Sequence, residues 1–186
     1  MNSYPLTTIS ELGWQVEAGL QPNSIIVDRR VLGYTARFKS VVCFPADDQP
    51  HLPPERAISV VCPDGADRHW AKVLIGSFVG NRLLIALHEQ HHRITREGLL
   101  SMPIPALDQR HGLRKAIMAR EQIVGFSHGK WHQQEMLVAY TYGISTEQAL
   151  LDMMRPFILV SEVVTLGMRN ALRDLERGLI KIERKG

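Results

Sequence analysis

Met102-Pro103-Ile104-Pro105 divides the sequence into two stretches with different hydrophobic patterns. Two prolines within three residues disfavour a helix and favour a stiff, extended connection. Before this tetrapeptide, short apolar runs alternate with turn-forming residues, and after it the apolar residues recur with helical spacing. The sequence therefore predicts an α+β fold, with a β-rich domain over residues 1–101 and a helical module over residues 102–186.

Five apolar runs in the first half have the length and composition of β-strands. These runs are Ser24–Asp28, Ala36–Phe44, Ala57–Cys62, His69–Phe78 and Arg82–His88. The short segment between the last two runs is predicted to be a tight hairpin loop, Val79-Gly80-Asn81. We expect an N-terminal antiparallel β-sheet or small barrel with a buried core that includes Val41, Val60, Val73, Ile75 and Leu84.

A short helix over Thr8–Leu20 is predicted ahead of the sheet. Thr8 and Glu11 have the spacing of a capping box, in which each side chain bonds to a free amide of the first helical turn. Four further helices are predicted in the second half from their periodicity and punctuating glycines. They are Ala106–Val124, Lys130–Tyr142, Ser145–Met154 and Pro156–Arg177.

Two segments of the helical module have features of a helix-turn-helix. Ala139 would allow two helices to approach closely, Gly143 would form a left-handed turn, and Ile144 would fill the core. The segment Arg169–Ile180 resembles the recognition helix and first wing strand of winged-helix regulators. Because Val163–Gly167 leaves little room for a capped turn before it, no family is assigned.

The positive charge of the chain is concentrated in its second half. The formal net charge is +3. Residues 1–93 hold nine Lys/Arg and nine Asp/Glu, whereas residues 94–186 hold thirteen and ten. Four cations recur at four-residue intervals near the C-terminus and are the predicted nucleic-acid-binding residues: Arg169, Arg173, Arg177 and Lys181. An apolar seam beside them, which includes Leu172 and Leu175, is equally compatible with docking against a partner helix.

Two other groups of residues are weaker candidates for a site. His88 and His92 satisfy the H-E-x-x-H spacing of zinc hydrolases, but the predicted strand would place Glu89 on the opposite face. We therefore expect no catalytic residue, no metal and no cofactor. In the β-rich half, Arg29 and Arg30 precede Tyr34, Arg37 and Phe38, and adjacent arginines at a sheet edge can bind a phosphorylated ligand.

These features together predict a DNA- or RNA-associated regulatory or accessory protein, most simply one that binds DNA and forms a homodimer or joins an assembly. A non-catalytic protein-interaction subunit of a larger assembly is the alternative, and a zinc-dependent hydrolase is the third. The longest apolar runs are far shorter than the roughly 20 residues of a membrane span. With no recognisable signal peptide and only two cysteines, Cys43 and Cys62, the expected location is cytoplasmic.

Overall fold

The structure, a computed structural model, describes residues 4–35, 38–48, 52–121 and 128–145. The chain divides into two compact units. One contains residues 6–104, and we call it the sheet unit. The other contains residues 1–5 together with 105–186, and we call it the helical unit. With antiparallel strands in the first half and helices in the second, the fold belongs to the α+β class.

A four-stranded antiparallel sheet forms the centre of the sheet unit. Its strands are β2 (Gln15–Ala18), β3 (Ser24–Thr35), β4 (Phe38–Pro45) and β5 (Ala57–Val61), in the order β2-β5-β3-β4. The strands predicted at Ser24–Asp28, Ala36–Phe44 and Ala57–Cys62 are confirmed and correspond to β3, β4 and β5. Two shorter strands, β1 (Leu6–Thr8) and β6 (Pro103–Pro105), form a separate two-stranded sheet. The prolines of β6 are therefore in extended backbone, as expected from their spacing.

Two helices cover the sheet where two strands were predicted. α1 (Gly65–Gly76) and α2 (Phe78–His91) both contact β3 and β4. The prediction of strands at His69–Phe78 and Arg82–His88, joined by a hairpin loop, was wrong. The predicted burial of this region was nevertheless right, since Val73, Ile75 and Leu84 are buried together with Val41 and Val60. A short continuous apolar run has no periodicity that separates a buried strand from a buried helix.

Each of the two helices begins at a side-chain cap. Asp64 accepts a hydrogen bond from the Asp67 amide at 2.7 Å and starts α1. Ser77 accepts from the Gly80 amide at 3.0 Å, starts α2 and donates its hydroxyl to the Leu74 carbonyl at 2.6 Å. Ser77 therefore ends one helix and begins the next, and the axes of the two helices differ by 70°.

The segment before the sheet contains a turn and a strand in place of the predicted helix. Both hydrogen bonds of the capping box are present, from the Thr8 amide to Glu11 Oε2 at 2.9 Å and from the Glu11 amide to Thr8 Oγ1 at 3.2 Å. Gly13 then adopts a φ of +73°, which ends the turn. Beyond it, buried Trp14 and Val16 alternate with exposed neighbours, and this alternation gives strand β2.

A third helix, α3 (Arg96–Leu100), follows α2 and contacts β2. In the helical unit, α4 (Gly112–Glu121) packs against α5 (His128–Thr141). The predicted helix at Lys130–Tyr142 is confirmed, and the one at Ala106–Val124 is shorter at its start. Each of these two packed helices carries a buried charged side chain, Arg114 on α4 and Glu135 on α5.

Apart from Ser145, the predicted helices at Ser145–Met154 and Pro156–Arg177 lie outside the described residues. Of the helices that the structure describes, none is by itself long and apolar enough to cross a membrane, although α1 and α2 together meet that criterion as a bent pair.

Candidate nucleic-acid interface

The longest strand of the sheet extends beyond one of its two neighbours. β3 pairs with β5 only from Ser24 to Asp28. Farther along, its partners are all on β4, from Val31 opposite Val41 to Thr35 opposite Phe38. Within the part of the chain that the structure describes, residues 29–35 and 38–41 thus form a two-stranded extension of the sheet. We call this extension the β3–β4 ribbon.

The sequence segment that contains the β3–β4 ribbon has an unusual charge composition. Residues 29–39 contain four basic residues and no Asp or Glu, although the first 93 residues as a whole hold equal numbers of basic and acidic residues. The basic residues are Arg29, Arg30, Arg37 and Lys39. Arg37 lies outside the described residues, and Lys39 is opposite Gly33 in the strand register. A concentration of like charge on a projecting element favours a polyanionic partner.

An irregularity in β3 marks the start of the β3–β4 ribbon. Val27 lies opposite Cys43 and Val31 lies opposite Val41, so β3 contains two more residues than β4 between these pairs. Asp28, which is only 3% exposed, lies at this bulge. Its Oδ1 accepts a hydrogen bond from the Arg30 amide at 3.0 Å, and its Oδ2 accepts one from the Arg56 guanidinium. Bulges of this kind change the direction in which neighbouring side chains point.

Two arginines, one next to Asp28 in the chain and one paired with it, have a buried donor atom. Neither the Nε of Arg29 nor that of Arg56 has a hydrogen-bond partner among the residues that the structure describes. Arg30 is exposed. A guanidinium group has five N–H donors in a planar arrangement that matches two oxygens of a phosphate or carboxylate. We call the group formed by Asp28, Arg29, Arg30 and Arg56 the ribbon foot.

The side chain of Asn81 on α2 hydrogen-bonds to the backbone of the edge strand β4. Asn81 Oδ1 accepts from the Val41 amide at 3.3 Å, and Asn81 Nδ2 donates to the Val41 carbonyl at 2.7 Å. The amide thereby occupies the backbone groups with which another strand would pair on β4. Neither Asp28, Arg56 nor Asn81 was identified from the sequence. An acid inside an apolar run was the available signal for Asp28, and no local signal marks the other two.

The predicted nucleic-acid-binding residues Arg169, Arg173, Arg177 and Lys181 lie outside the described residues. Leu172 and Leu175, predicted to form the apolar seam, lie there too. The first part of the predicted helix-turn-helix is described. Gly143 has a φ of +72°, and the Ile144 amide donates to the Ala139 carbonyl at 3.1 Å. With the bond from the Gly143 amide to the Tyr140 carbonyl, this is a Schellman ending of α5. The predicted left-handed turn at Gly143 is confirmed.

His88 and His92 do not share one helix. His88 belongs to α2, but this helix ends at His91, and His92 has a left-handed backbone with a φ of +57°. The predicted strand there was wrong, because α2 continues through His88. Among the residues that the structure describes, no group of three or more His, Cys, Asp or Glu is placed to hold a metal ion. The arrangement gives no support to the zinc-hydrolase alternative.

A cleft of mixed polar and apolar lining lies elsewhere in the sheet unit. It has a volume of about 440 Å³, and its lining is formed by Leu20, Gln21, Pro22, Ile26, Ala46 and Asp47. Part of its floor is the small core cluster of Ile26 and Ala46 with Ala57. Among the described lining residues, only Asp47 carries a charge, and its side chain is 70% exposed. Such a lining offers few of the converging polar groups that fix a small ligand.

Comparisons of this chain with known protein families, with curated protein sequences and with solved structures found no match.

Proposed function

We propose that this chain is a nucleic-acid-associated regulatory or accessory protein that binds duplex DNA, and that the β3–β4 ribbon is a contact element. One observation carries the proposal, namely that residues 29–39 hold four basic residues and no acidic residue in the sequence, and that the described part of this segment belongs to a strand pair extending beyond β5. Binding of cations to DNA phosphates releases condensed counterions, and this release supplies most of the affinity that does not depend on sequence.

The form of the element also supports duplex DNA as the partner. The major groove of B-DNA is about 12 Å wide and admits a two-stranded β-ribbon. Several groups of DNA-binding proteins insert strands into a groove in this way. The major groove of duplex RNA is too deep and narrow for side chains to read. Duplex DNA is therefore the better partner for a projecting strand pair.

The C-terminal cations are a second part of the proposal. Arg169, Arg173, Arg177 and Lys181 recur every four residues, so a continuous helix would place them along one side. In this proposal they contact phosphates, while Leu172 and Leu175 hold the segment against the protein or a second subunit.

The test is a fluorescence-anisotropy titration of the full chain with mixed-sequence duplex DNA over a range of salt concentrations. The informative variant is Arg37→Ala/Lys39→Ala, which removes two of the four basic residues of positions 29–39. Each lost phosphate contact lowers the slope of log K against log salt by about one unit, so we expect a decrease of about two. The matched control is Arg93→Ala/Lys115→Ala, which removes the same charges from exposed positions outside the ribbon.

Three outcomes of this titration would test whether the protein binds duplex DNA through the β3–β4 ribbon. A parent protein that does not bind duplex DNA even at low salt would overturn the proposal and leave the protein-interaction subunit as the better hypothesis. If the ribbon and control variants lose the same amount of binding, the ribbon is not a contact element. A larger effect for the ribbon variant, with both variants folded by circular dichroism, supports the proposal.

A separate variant tests the C-terminal cations. Arg169→Ala/Arg173→Ala/Arg177→Ala should lower the salt slope by about three units. The proposal gives these side chains a role in binding only, so thermal stability should change little. Unchanged DNA binding by this variant would remove the C-terminal segment from the proposed interface.

A further inference from the structure

We infer that the side of β3 that faces away from β4, from Val31 to Gly33, is a docking edge for an extended acidic segment of a protein partner. We call this side the β3 edge. The partner segment would add a strand to the β3–β4 ribbon, beyond the point where pairing with β5 ends. This inference goes beyond the proposed function, because it concerns the backbone of the ribbon and does not depend on DNA binding.

The first observation is the direction of the backbone groups of Val31. Opposite residues in an antiparallel strand pair alternate between pairs that exchange two hydrogen bonds and pairs that exchange none. The amide and the carbonyl of Val41 are both bonded to the Asn81 side chain, at 3.3 and 2.7 Å. Val41 is therefore not hydrogen-bonded to its opposite residue, Val31. The amide and carbonyl of Val31 must then point away from β4, toward the β3 edge.

The same alternation continues along β3 to Gly33. The next pair in the register is Leu32 with Ser40, and it is followed by Gly33 with Lys39. The first of these pairs is therefore hydrogen-bonded and the second is not. Val31 and Gly33 together direct two amides and two carbonyls toward the β3 edge. Such a row of alternating donors and acceptors is the array to which an extended peptide adds as a strand.

No strand lies along the β3 edge in the part of the chain that the structure describes. Pairing between β3 and β5 ends at Asp28. The backbone of Val31 is not hydrogen-bonded to the backbone of any described residue on this side. Gly33 has no side chain that could hinder an approaching strand. Unpaired backbone groups at the edge of a sheet are a template for pairing with another chain.

The two outer edges of the sheet differ from the β3 edge. On β4, the Asn81 side chain is bonded to both backbone groups of Val41. On β2, the strand at the other end of the sheet, the Val16 carbonyl accepts a hydrogen bond from Arg96 Nε at 2.7 Å. Side chains of α2 and α3 thus cover backbone groups at both outer edges, which hinders the addition of a strand. Among the described residues, no side chain has this role at Val31.

The charge around the β3 edge selects an acidic occupant. Residues 29–39 contain four basic residues and no acidic residue. Arg29 and Arg30 directly precede Val31, and Lys39 is opposite Gly33 in the register. Opposite charges on neighbouring strands stabilise their pairing, whereas like charges weaken it. An acidic segment is therefore a better occupant than a second copy of this ribbon, which would bring four more basic residues to the same edge.

Duplex DNA is less suited to the β3 edge than a polypeptide is. Phosphate oxygens accept hydrogen bonds, but the carbonyls of Val31 and Gly33 require donors. The backbone of an extended segment supplies both donors and acceptors at the strand spacing. DNA would contact basic side chains of the ribbon and leave these two carbonyls without a partner. The backbone geometry thus favours a protein segment at this edge.

The main experiment measures the binding of synthetic peptides to the full chain by fluorescence anisotropy. The probe is a fluorescein-labelled peptide of about seven residues, close to the usual strand length, in which glutamate alternates with threonine. The control peptide has lysine in place of each glutamate. We expect the glutamate peptide to bind at least about tenfold more tightly, because its charge complements that of the ribbon. Equal binding of the two peptides would show that the occupant is not selected by acidic charge.

Proline substitutions at adjacent positions test the direction of the backbone groups. Gly33→Pro removes an amide that points to the β3 edge, so the fold should be kept and the affinity for the glutamate peptide should fall about tenfold or more. Leu32→Pro is the matched control. It removes an amide that is bonded to β4, so the melting temperature should fall. Equal melting temperatures of Leu32→Pro and the parent would contradict the assigned alternation.

A milder variant tests the charge without altering the backbone. Arg30 is exposed, and Arg30→Gln should lower the affinity for the glutamate peptide about threefold. The matched control is Arg93→Gln, which removes the same charge from an exposed position outside the ribbon. Equal losses in the two variants would show that the peptide does not bind beside Arg30.

Amide hydrogen exchange, followed by NMR on the isotopically labelled protein, locates the bound peptide. A saturating concentration of the glutamate peptide should slow exchange at Val31 and Gly33 about tenfold or more, because both amides gain a partner. Exchange at Leu32 should change little, since this amide is already bonded within the ribbon. Unchanged exchange at both Val31 and Gly33 would refute the docking edge even if the peptide binds.

The outcomes distinguish failure of the docking edge from failure of the proposed function. If the protein binds duplex DNA but neither peptide, the docking edge is wrong and the proposed function stands. If it binds the glutamate peptide at Val31 and Gly33 but not DNA, the docking edge is supported and the proposed function fails.

Two further outcomes would identify a different occupant. If duplex DNA slows exchange at Val31 and Gly33 as the peptide should, nucleic acid occupies the β3 edge and the inference is wrong. If the parent sediments as a dimer and Gly33→Pro sediments as a monomer, the occupant is a second copy of the chain. The acidic partner would then be wrong.

Discussion

The junction of α1 and α2 and the ribbon foot differ in how completely their polar groups are paired. At the junction, Ser77 and Asn81 place their hydrogen bonds on backbone atoms of the helices and of β4. At the ribbon foot, buried Asp28 pairs with Arg56, and the Nε donors of Arg29 and Arg56 have no partner among the described residues. The polar groups of the junction are thus paired within the protein more completely than those of the foot.

The two regions also differ in how closely the backbone packs. At the junction, a Cβ atom added to Gly80 would lie 2.1 Å from the Leu74 carbonyl oxygen and 2.6 Å from that of Ile75. The close approach of α2 to the end of α1 therefore requires glycine at this position. In the ribbon foot, Asp28, Arg29 and Arg30 lie in an irregular part of β3, where a bulge departs from the ladder, and Arg56 ends a short 3-10 helix. Substitutions at the junction should thus affect folding, and those at the foot should divide between folding and binding.

The largest expected effect is that of Gly80→Ala. The new methyl group would overlap two carbonyl oxygens of the backbone, so the helices must move apart and the core against β4 must reopen. We expect a loss of about 4 kcal/mol or more in the free energy of unfolding, measured by urea denaturation. Gly65→Ala is the matched control, because no atom lies within 4 Å of its added Cβ. A stable, native-like Gly80→Ala protein would show that the junction is not tightly packed.

The next effect is expected at the ion pair of the ribbon foot. Arg56→Ala would leave Asp28 buried without its charged partner, which commonly costs about 3–5 kcal/mol. The side chain of Arg56 is 27% exposed, so we expect the lower end of that range. The double variant Asp28→Asn/Arg56→Gln should recover part of the loss, because no uncompensated charge remains. Equal stability of Arg56→Ala and the parent would mean that this pair contributes nothing to the bulge.

A smaller effect is expected where α2 closes the edge of the sheet. Asn81→Ala removes both hydrogen bonds to Val41 and leaves a backbone amide and carbonyl unpaired, which should cost about 1–3 kcal/mol. Asn81→Asp keeps an acceptor for the amide but has no donor for the carbonyl, so its loss should be intermediate. Arg82→Ala, at the exposed next position, is the control. If Asn81→Ala also raises the tendency to aggregate by light scattering, the amide protects the open edge of β4.

The smallest effect is expected at Cys43 of β4, which lies close to the end of α1 at the closely packed junction. Its Sγ lies 3.7 Å from the position that a Cβ would take at Gly76. Burial raises the pKa of Cys43 to about 12. Since the thiolate is the reactive form, Cys43 should react with iodoacetamide at pH 8 far more slowly in the folded protein than in urea. Rapid alkylation of the native protein, located by mass spectrometry, would show that this part of the sheet opens readily.

The same raised pKa has a consequence for stability. The unfolded thiol ionises near its ordinary value of about 8.5, whereas the folded thiol keeps its proton until a higher pH. The contribution of the protonated Cys43 thiol to the free energy of unfolding is therefore complete below about pH 8.5. It is lost as the pH rises toward 12. Cys43→Ala should remove this part of the alkaline decrease in the urea midpoint. If the urea midpoint of Cys43→Ala falls at alkaline pH as much as that of the parent, Cys43 does not cause the decrease.

Local patterns in the sequence account for several features of the fold. The alternating and apolar runs around Val27, Val41 and Val60 predict three adjacent strands that the structure contains. The capping box of Thr8 and Glu11 forms with both of its hydrogen bonds, and Gly143 takes the left-handed turn. Each of these features depends on residues within a few positions of one another, and such short-range interactions can be inferred without tertiary contacts.

Local patterns predicted the wrong secondary structure where a strand and a helix would bury the same apolar residues. Val73, Ile75 and Leu84 are buried whether their segments are strands or helices, and β-branched residues favour the strand. In the folded chain, Asp64 and Ser77 cap two helices that cover the sheet. At the N-terminus the capping box forms, but pairing of Val16 with Val60 extends the next residues into β2. The contact with a distant strand outweighed the local preference for a helix.

The sequence by itself determined the fold class, the buried residues and the concentration of basic residues at positions 29–39. Tertiary structure alone decided that β3 extends beyond β5, that Arg56 reaches Asp28, and that Asn81 bonds to Val41. The contact of Arg56 with Asp28 joins residues that are 28 positions apart in the chain, and that of Asn81 with Val41 joins residues that are 40 positions apart. No periodicity or capping rule encodes a contact over such a separation, because it depends on the register and packing of the whole sheet unit.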